Sequence, residues 1–202
     1  MTDLTLYTNP QSRGRIARWM MEELGQPYDT VLLDYGTTMK APEYLALNPM
    51  GKVPALKHGD RIVTECAAIC TYLADMFPQA GLMPSDRAAF YRWMFFGAGP
   101  LEAAVVNKAL DVTVPPERKG MVGYGSFDEV IATLKGHLAT SPFMAGANFS
   151  AADVYVGSQI GWGLRFGSIP SEPEFTAYAE RILNRPAALR AKAKDDALVP
   201  KP

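Results

Sequence analysis

The chain has 202 residues, 48% of them hydrophobic, and a formal net charge of −1. That is enough apolar material for one large or two small packed domains, and it excludes a disordered chain. The near-neutral balance, with no basic cluster interleaved with aromatics, excludes nucleic acid and acidic membrane surfaces from the expected partners. No apolar run approaches the roughly 20 residues of a membrane span, and no basic segment followed by an apolar stretch opens the sequence, so neither a membrane anchor nor a secretory leader is expected. The two cysteines, Cys66 and Cys70, are spaced Cys-x-x-x-Cys. Redox pairs and zinc ribbons want Cys-x-x-Cys, so these read as two small core residues. With only His58 and His137 as further soft ligands, no metal site is expected. Such cysteine usage suits a reducing cytoplasm.

Residues 3–8, Asp-Leu-Thr-Leu-Tyr-Thr, alternate and predict a strand. From Ser12 the period changes: Ile16, Ala17, Met20 and Leu24 share one helical face, and Gly25 follows as a stop. Residues 28–34 predict a second strand, followed by a polar loop with a short helix around residues 40–48. Residues 53–64 read as two strands joined at Gly59-Asp60, where glycine at the first central position suits a type II′ turn. A helix over residues 65–77 ends before Pro78. Strands joined through a helix should be parallel and strands joined by a tight turn antiparallel, so the segment predicts a small mixed sheet with helices packed on it.

Beyond residues 78–86 there is little strand signal and much helical period. Ser85 is placed to cap a helix carrying Phe90, Trp93, Met94, Leu101, Val105 and Leu110, interrupted by Pro100. Pro115 and Pro116 can open another helix, and residues 126–139, 150–166 and 172–195 continue the pattern. The expected organisation is an α/β domain over 1–77, a linker over 78–84 and an all-helical domain over 85–202. Ser150-Ala-Ala-Asp153 is a capping-type box with Phe149 and Val154 placed as a hydrophobic staple, and it reads as structural.

Three features invite chemistry. Ser12 stands at a strand-to-helix turn, where a serine is an ordinary cap but where converging N–H groups can also hold an anion. Residues 48–56, Asn-Pro-Met-Gly-Lys-Val-Pro-Ala-Leu, place Pro54 at the mouth of a strand, and a cis bond is permitted at Val53-Pro54. Residues 64–69, Thr-Glu-Cys-Ala-Ala-Ile, put a carboxylate at a helix start, where the dipole favours it. Each feature has a plain structural reading. In this order, inside this frame, and with Phe149-Ser-Ala-Ala-Asp153 downstream, they resemble the cytosolic glutathione transferase family, and specifically its bacterial-type, serine-using members. The resemblance covers essentially the whole chain.

The resemblance implies a thioredoxin-like N-terminal domain, an all-α C-terminal domain and a homodimer in the cytoplasm. It implies a detoxification enzyme that joins the glutathione thiolate to a small, electrophilic, mostly apolar substrate, with glutathione as co-substrate and no metal. The alternative on the same fold is a non-catalytic protein that binds glutathione or hydrophobic ligands, or that regulates. In the family, Val53 would pair with the cysteinyl backbone of glutathione and Pro54 would shape that contact. Glu65 and Cys66 would hold the γ-glutamyl end, although the family's usual serine is here Cys66, a poorer donor. Lys40 and Lys52 match positions that meet the glycyl carboxylate. Ser12 would stabilise the thiolate. Tyr7 is its rival, since some classes use a tyrosine at the end of the first strand. There an Arg-Gly-Arg follows closely, and here two extra residues intervene, which favours Ser12. A reciprocal capping box at Ser12 would want Glu or Gln at position 15, which is Arg15. Asn9 and Gln11 are further donors near the sulfur, and Phe96 and Pro100 are chosen to line the apolar substrate pocket.

Overall fold

The computed structural model describes residues 3–199. By internal contacts the chain divides between Gly81 and Leu82 and again between Leu183 and Asn184, so the C-terminal helix counts with the first unit.

The first unit is built on β1 (Leu4–Thr8), α1 (Gly14–Leu24), β2 (Asp29–Leu32), α2 (Pro42–Leu45), β3 (Ala55–His58), β4 (Arg61–Thr64) and α3 (Cys66–Met76). The four strands form one mixed sheet in the order β2-β1-β3-β4. As the connections require, β1 and β2 are parallel, and β1–β3 and β3–β4 are antiparallel. This is the expected thioredoxin-like α/β arrangement. At the β3–β4 turn Gly59 takes φ 58° and Asp60 does not share the positive φ, which suits a type II′ rather than a type I′ turn. Alternation along β1 sends Leu4, Leu6 and Thr8 to a fully buried face and half-buries Thr5 and Tyr7 on the other. Tyr7 packs there with Leu33, Met39, Tyr44 and Ala55.

α1 begins at Gly14, two residues later than the apolar period suggested, and ends at Gly25 in the left-handed conformation (φ 66°). It packs on α3 and on α9 (Pro186–Asp196). The α1–α9 seam is charged. Arg18 Nε lies 2.7 Å from Asp195 Oδ1 with both side chains almost wholly buried. Glu23 receives a bidentate pair from Arg185 at 2.8 and 2.9 Å. Glu22 accepts from Tyr28 at 2.7 Å and from Lys194 at 2.5 Å, and Arg190 lies 3.3 Å away.

The second unit is helical: α4 (Arg87–Phe96), α5 (Glu102–Ala109), α6 (Phe127–Leu138), α7 (Ala151–Phe166) and α8 (Pro173–Leu183). Asp86, not Ser85, caps α4, its carboxylate accepting from Ala89 N–H at 2.9 Å. Pro100 cannot donate to the helical ladder, and Gly97–Leu101 widens to a π turn between α4 and α5. The diprolyl start yields only a 3-10 turn over Pro116–Met121. The single helix expected over 172–195 is two, because Pro186 ends the first run and opens the second. Those two helices fall on opposite sides of the Leu183–Asn184 division. α7 is the axis of the second unit, with Ala151, Ala152, Val154, Val156 and Ile160 fully buried. A methyl on Gly157 would stand 2.2 Å from Ile182 Cδ1, so glycine permits α7 and α8 to approach closely. The capping box is present, with Asp153 Oδ2 accepting from Ser150 N–H at 2.8 Å. Asp153 Oδ1 accepts from Met144 N–H at 2.7 Å and Tyr178 Oη at 2.9 Å.

Candidate functional site

Two helix starts of the first unit and the segments leading into them carry half of the expected site residues. The first is the turn from β1 to α1. Asn9 is buried and its side chain braces the turn: Nδ2 donates to Leu33 C=O at 2.8 Å and Oδ1 accepts from Gln11 N–H at 2.9 Å. Ser12 is half-buried, just ahead of α1. Its hydroxyl donates to Asn9 C=O at 2.7 Å and accepts from Gly14 N–H at 2.9 Å. Asn9 C=O also accepts from Ser12 N–H at 3.1 Å. The Ser12 proton can therefore turn elsewhere without leaving that carbonyl bare, while its oxygen stays fixed by Gly14. Arg15 anchors the turn from the other side, donating to Pro10 C=O at 2.5 Å and to Asp196 at 2.7 Å. Gln11 is exposed. Tyr7 lies on the opposite face of β1 from Thr8, its ring 5.7 Å from that of Tyr44.

The second is the start of α3. Glu65 precedes it at φ 63°, ψ 119°, with no side-chain cap on the helix. A non-glycine residue in that region is uncommon and costs of order 1–3 kcal/mol, which the surrounding structure must impose. Cys66 is nearly buried and its thiol donates to Arg13 C=O at 3.7 Å, so this junction lies beside the start of α1. One turn on, Cys70 is fully buried, and its thiol is pushed up by its hydrogen bond with Cys66 and by burial. Both cysteines are free thiols.

The Val53-Pro54 peptide bond is cis. Val53 packs on the same cluster as Tyr7, and among the described residues it takes part in none of the backbone hydrogen bonds found outside the regular elements. The preceding residue, Lys52, is exposed. Its carbonyl accepts from Tyr44 Oη at 2.5 Å and Asn48 Nδ2 at 2.8 Å, which secures the approach to Val53. Lys40 is exposed and donates to Met50 C=O at 3.0 Å. Phe96 and Pro100 belong to the second unit, where Phe96 is half-buried and edge-on to Trp93 at 5.2 Å.

Three residues at or beside the β1–α1 turn have no site role in the sequence motif. Arg15 ties the turn to α9, and Gly14 and Thr8 meet at the start of α1. A small residue between two arginines was the available signal for Gly14, whereas nothing local marks Thr8. Among the described residues no group of three or more His, Cys, Asp or Glu side chains could hold a metal ion, and no helix is long and apolar enough to cross a membrane.

Comparison with known proteins matches residues 13–76 to the family described as glutathione S-transferase, N-terminal domain. The chain is similar to glutathione S-transferase 1 of Zea mays, 30% identical over 147 residues that cover 66% of this chain and 68% of that one. It is also 30% identical over 165 residues to elongation factor 1-gamma of Prunus avium, covering 76% of this chain but only 39% of that longer protein. Among solved structures, the theta class glutathione S-transferase of Xanthomonas axonopodis pv. citri, determined with glutathione bound, superposes with a TM-score of 0.76. It is 27% identical and the match covers 95% of this chain and 97% of that one. With a mixed β2-β1-β3-β4 sheet, a cis proline before β3 and an acidic residue held at positive φ before α3, this chain belongs to the glutathione S-transferase family.

Proposed function

We propose that the protein is a serine-using glutathione transferase that joins the thiolate of glutathione to an electrophilic, mostly apolar substrate. Val53 offers backbone N–H and C=O groups to the cysteinyl unit of the tripeptide, as one rung of an antiparallel ladder. Glu65 meets the γ-glutamyl ammonium, and the first N–H groups of α3 meet its carboxylate. Cys66 keeps the backbone N–H but turns its thiol to Arg13 C=O, so the side chain adds little. Lys40 and Lys52, both exposed, meet the glycyl carboxylate. The observation that carries the reading is Glu65. A carboxylate is held against its backbone preference at an uncapped helix start, at the position where the sequence motif calls for a γ-glutamyl contact.

The chemistry asked of the protein is modest. A free cysteinyl thiol has a pKa of about 8.5, so little is ionised at neutral pH. Lowering that value by about 2 units needs about 2.7 kcal/mol of preference for the anion. A hydrogen bond to a charged group supplies about 1.5–3 kcal/mol, and a helix N-terminus about 0.3–1 kcal/mol. Ser12 supplies the first and the start of α1 the second. The Ser12 proton turns from Asn9 C=O to the sulfur while Gly14 N–H continues to hold the oxygen. Asn9 braces the turn and Gln11 flanks it. Tyr7 is a packing residue in this reading. The protein then holds the thiolate beside the electrophile; the sulfur lone pair makes the new bond while the electrophile expels its leaving group with the electron pair or, in an addition, takes up a proton from solvent. The reading includes a cytoplasmic homodimer acting in detoxification, on the family resemblance.

Calorimetric titration of the full chain with glutathione tests the reading, followed by turnover on a panel of electrophiles. One glutathione bound per chain and turnover on at least one electrophile are expected. No binding at millimolar glutathione would overturn the reading, and binding without any turnover would reduce the protein to a binder.

A further inference from the structure

We propose that Thr8 is a positioning residue for Ser12, acting as the second hydroxyl in a relay of hydrogen bonds that ends on the thiolate; this rests on the reading that Ser12 holds that thiolate. Thr8 closes β1 on its buried face and is fully shielded from solvent. Its Oγ1 has no hydrogen-bond partner among the described residues. Buried hydroxyls are rarely left so, and an orphan calls for an explanation.

The hydroxyl points at the start of α1. A methyl on Gly14 would stand 1.9 Å from Thr8 Oγ1 and 2.9 Å from Ser12 Oγ. Both oxygens therefore crowd the same point over Gly14, and that point is open only because residue 14 is glycine. Ser12 has a complementary vacancy. A serine hydroxyl carries one proton and two lone pairs. The proton is on Asn9 C=O and one lone pair is on Gly14 N–H, which leaves one lone pair. Thr8 has a donor without an acceptor, and Ser12 has an acceptor site without a donor.

When the Ser12 proton turns to a thiolate, its oxygen gains from a second donor. The structure does not make a bond between Thr8 Oγ1 and Ser12 Oγ; Thr8 Oγ1–H closes onto Ser12 Oγ as that proton turns, which polarises the Ser12 O–H and strengthens the bond to sulfur. No proton changes owner along the relay. Thr8 reaches the sulfur only through Ser12.

The experiment uses the full chain with glutathione and 1-chloro-2,4-dinitrobenzene as a generic electrophile. Thiolate absorbance against pH gives the pKa of bound glutathione in Thr8→Val, Thr8→Ser, Ser12→Ala and the Thr8→Val/Ser12→Ala double variant. Thr8→Val should raise that pKa by about half a unit, a roughly threefold loss of thiolate preference. Turnover at fixed pH should fall while the KM for glutathione holds. Thr8→Ser, which keeps the hydroxyl, should restore the original pKa, and Thr8→Val should add nothing in the Ser12→Ala background. If Ser12→Ala raises the pKa and Thr8→Val does not, Thr8 only packs and the proposal fails while the serine reading stands. An equal Thr8→Val shift with and without Ser12 also overturns it. If Ser12→Ala leaves the pKa unmoved, it is the serine reading that has failed.

Discussion

Ser12 and Ser150 are the same residue at the same kind of junction, one step or two ahead of a helix, and the structure uses them in opposite ways. Ser150 is fully buried and closed into a reciprocal box with Asp153, which in turn serves Met144 N–H and Tyr178 Oη. Every donor at the start of α7 that the box reaches is spoken for. Ser12 is half-buried, finds Arg15 where a carboxylate would close the box, and holds Gly14 N–H on one side with a proton that can turn away from Asn9 on the other. The start of α3 is more open still, with Glu65 at positive φ and no side-chain cap. A helix start that satisfies itself belongs to the fold, and one whose proton can turn away from its partner, or whose N–H groups no side chain caps, is open to a ligand.

The largest effect should come from opening the closed junction. Asp153→Ala removes a buried carboxylate on which four donors converge, and should cost about 3–5 kcal/mol in denaturant unfolding. Loss of soluble protein would be the extreme of the same outcome, whereas a cost under about 1 kcal/mol would mean that the box is not what holds α7. The open junction should respond in the reverse sense. Glu65→Gly relieves backbone strain and so should leave stability unchanged or raise it by about 1 kcal/mol. The same change should weaken glutathione by about tenfold, or 1.4 kcal/mol, by calorimetry. Stability and affinity moving in the same direction would contradict the assignment of that strain to binding.

A smaller effect lies in the charged seam between α1 and α9. Burial pushes the Glu22 carboxyl up, but hydrogen bonds from Lys194, Tyr28 and Arg190 outweigh it and hold the group below its ordinary value of 4.5. A carboxyl lowered on folding contributes stability above its unfolded pKa and loses it as pH falls through the folded value. The unfolding midpoint should therefore drop below about pH 4.5 in the parent and drop less steeply in Glu22→Gln. Equal acid limbs would show that the seam contributes nothing through this group.

These contrasts mark what could be read in the chain and what could not. β1, α1 and the Gly59-Asp60 hairpin follow from period and turn chemistry, which are local. The motif from Asn48 to Leu56 carried the cis proline because its residue types are specific. The break at Pro186 was visible but lost within a continuous helical period, and Asp86 displaced Ser85 as a cap because two adjacent residues were both able to serve. The α9 seam depends on pairs such as Arg18 and Asp195, 177 residues apart, which no periodicity announces. Thr8 is the hardest case, since its interest lies in a missing partner that exists only after β1 and α1 have met.

The central claim is that Ser12 turns its proton from Asn9 C=O to a thiolate, and the pKa of bound glutathione tests it most directly. Thiolate absorbance against pH in Ser12→Ala should show that pKa raised by about one to two units, with the fold intact and with Tyr7→Phe unchanged from the parent. The claim is contradicted if Ser12→Ala leaves the pKa in place and only lowers stability by about 1 kcal/mol, the loss expected of a simple cap, or if Tyr7→Phe moves the pKa instead.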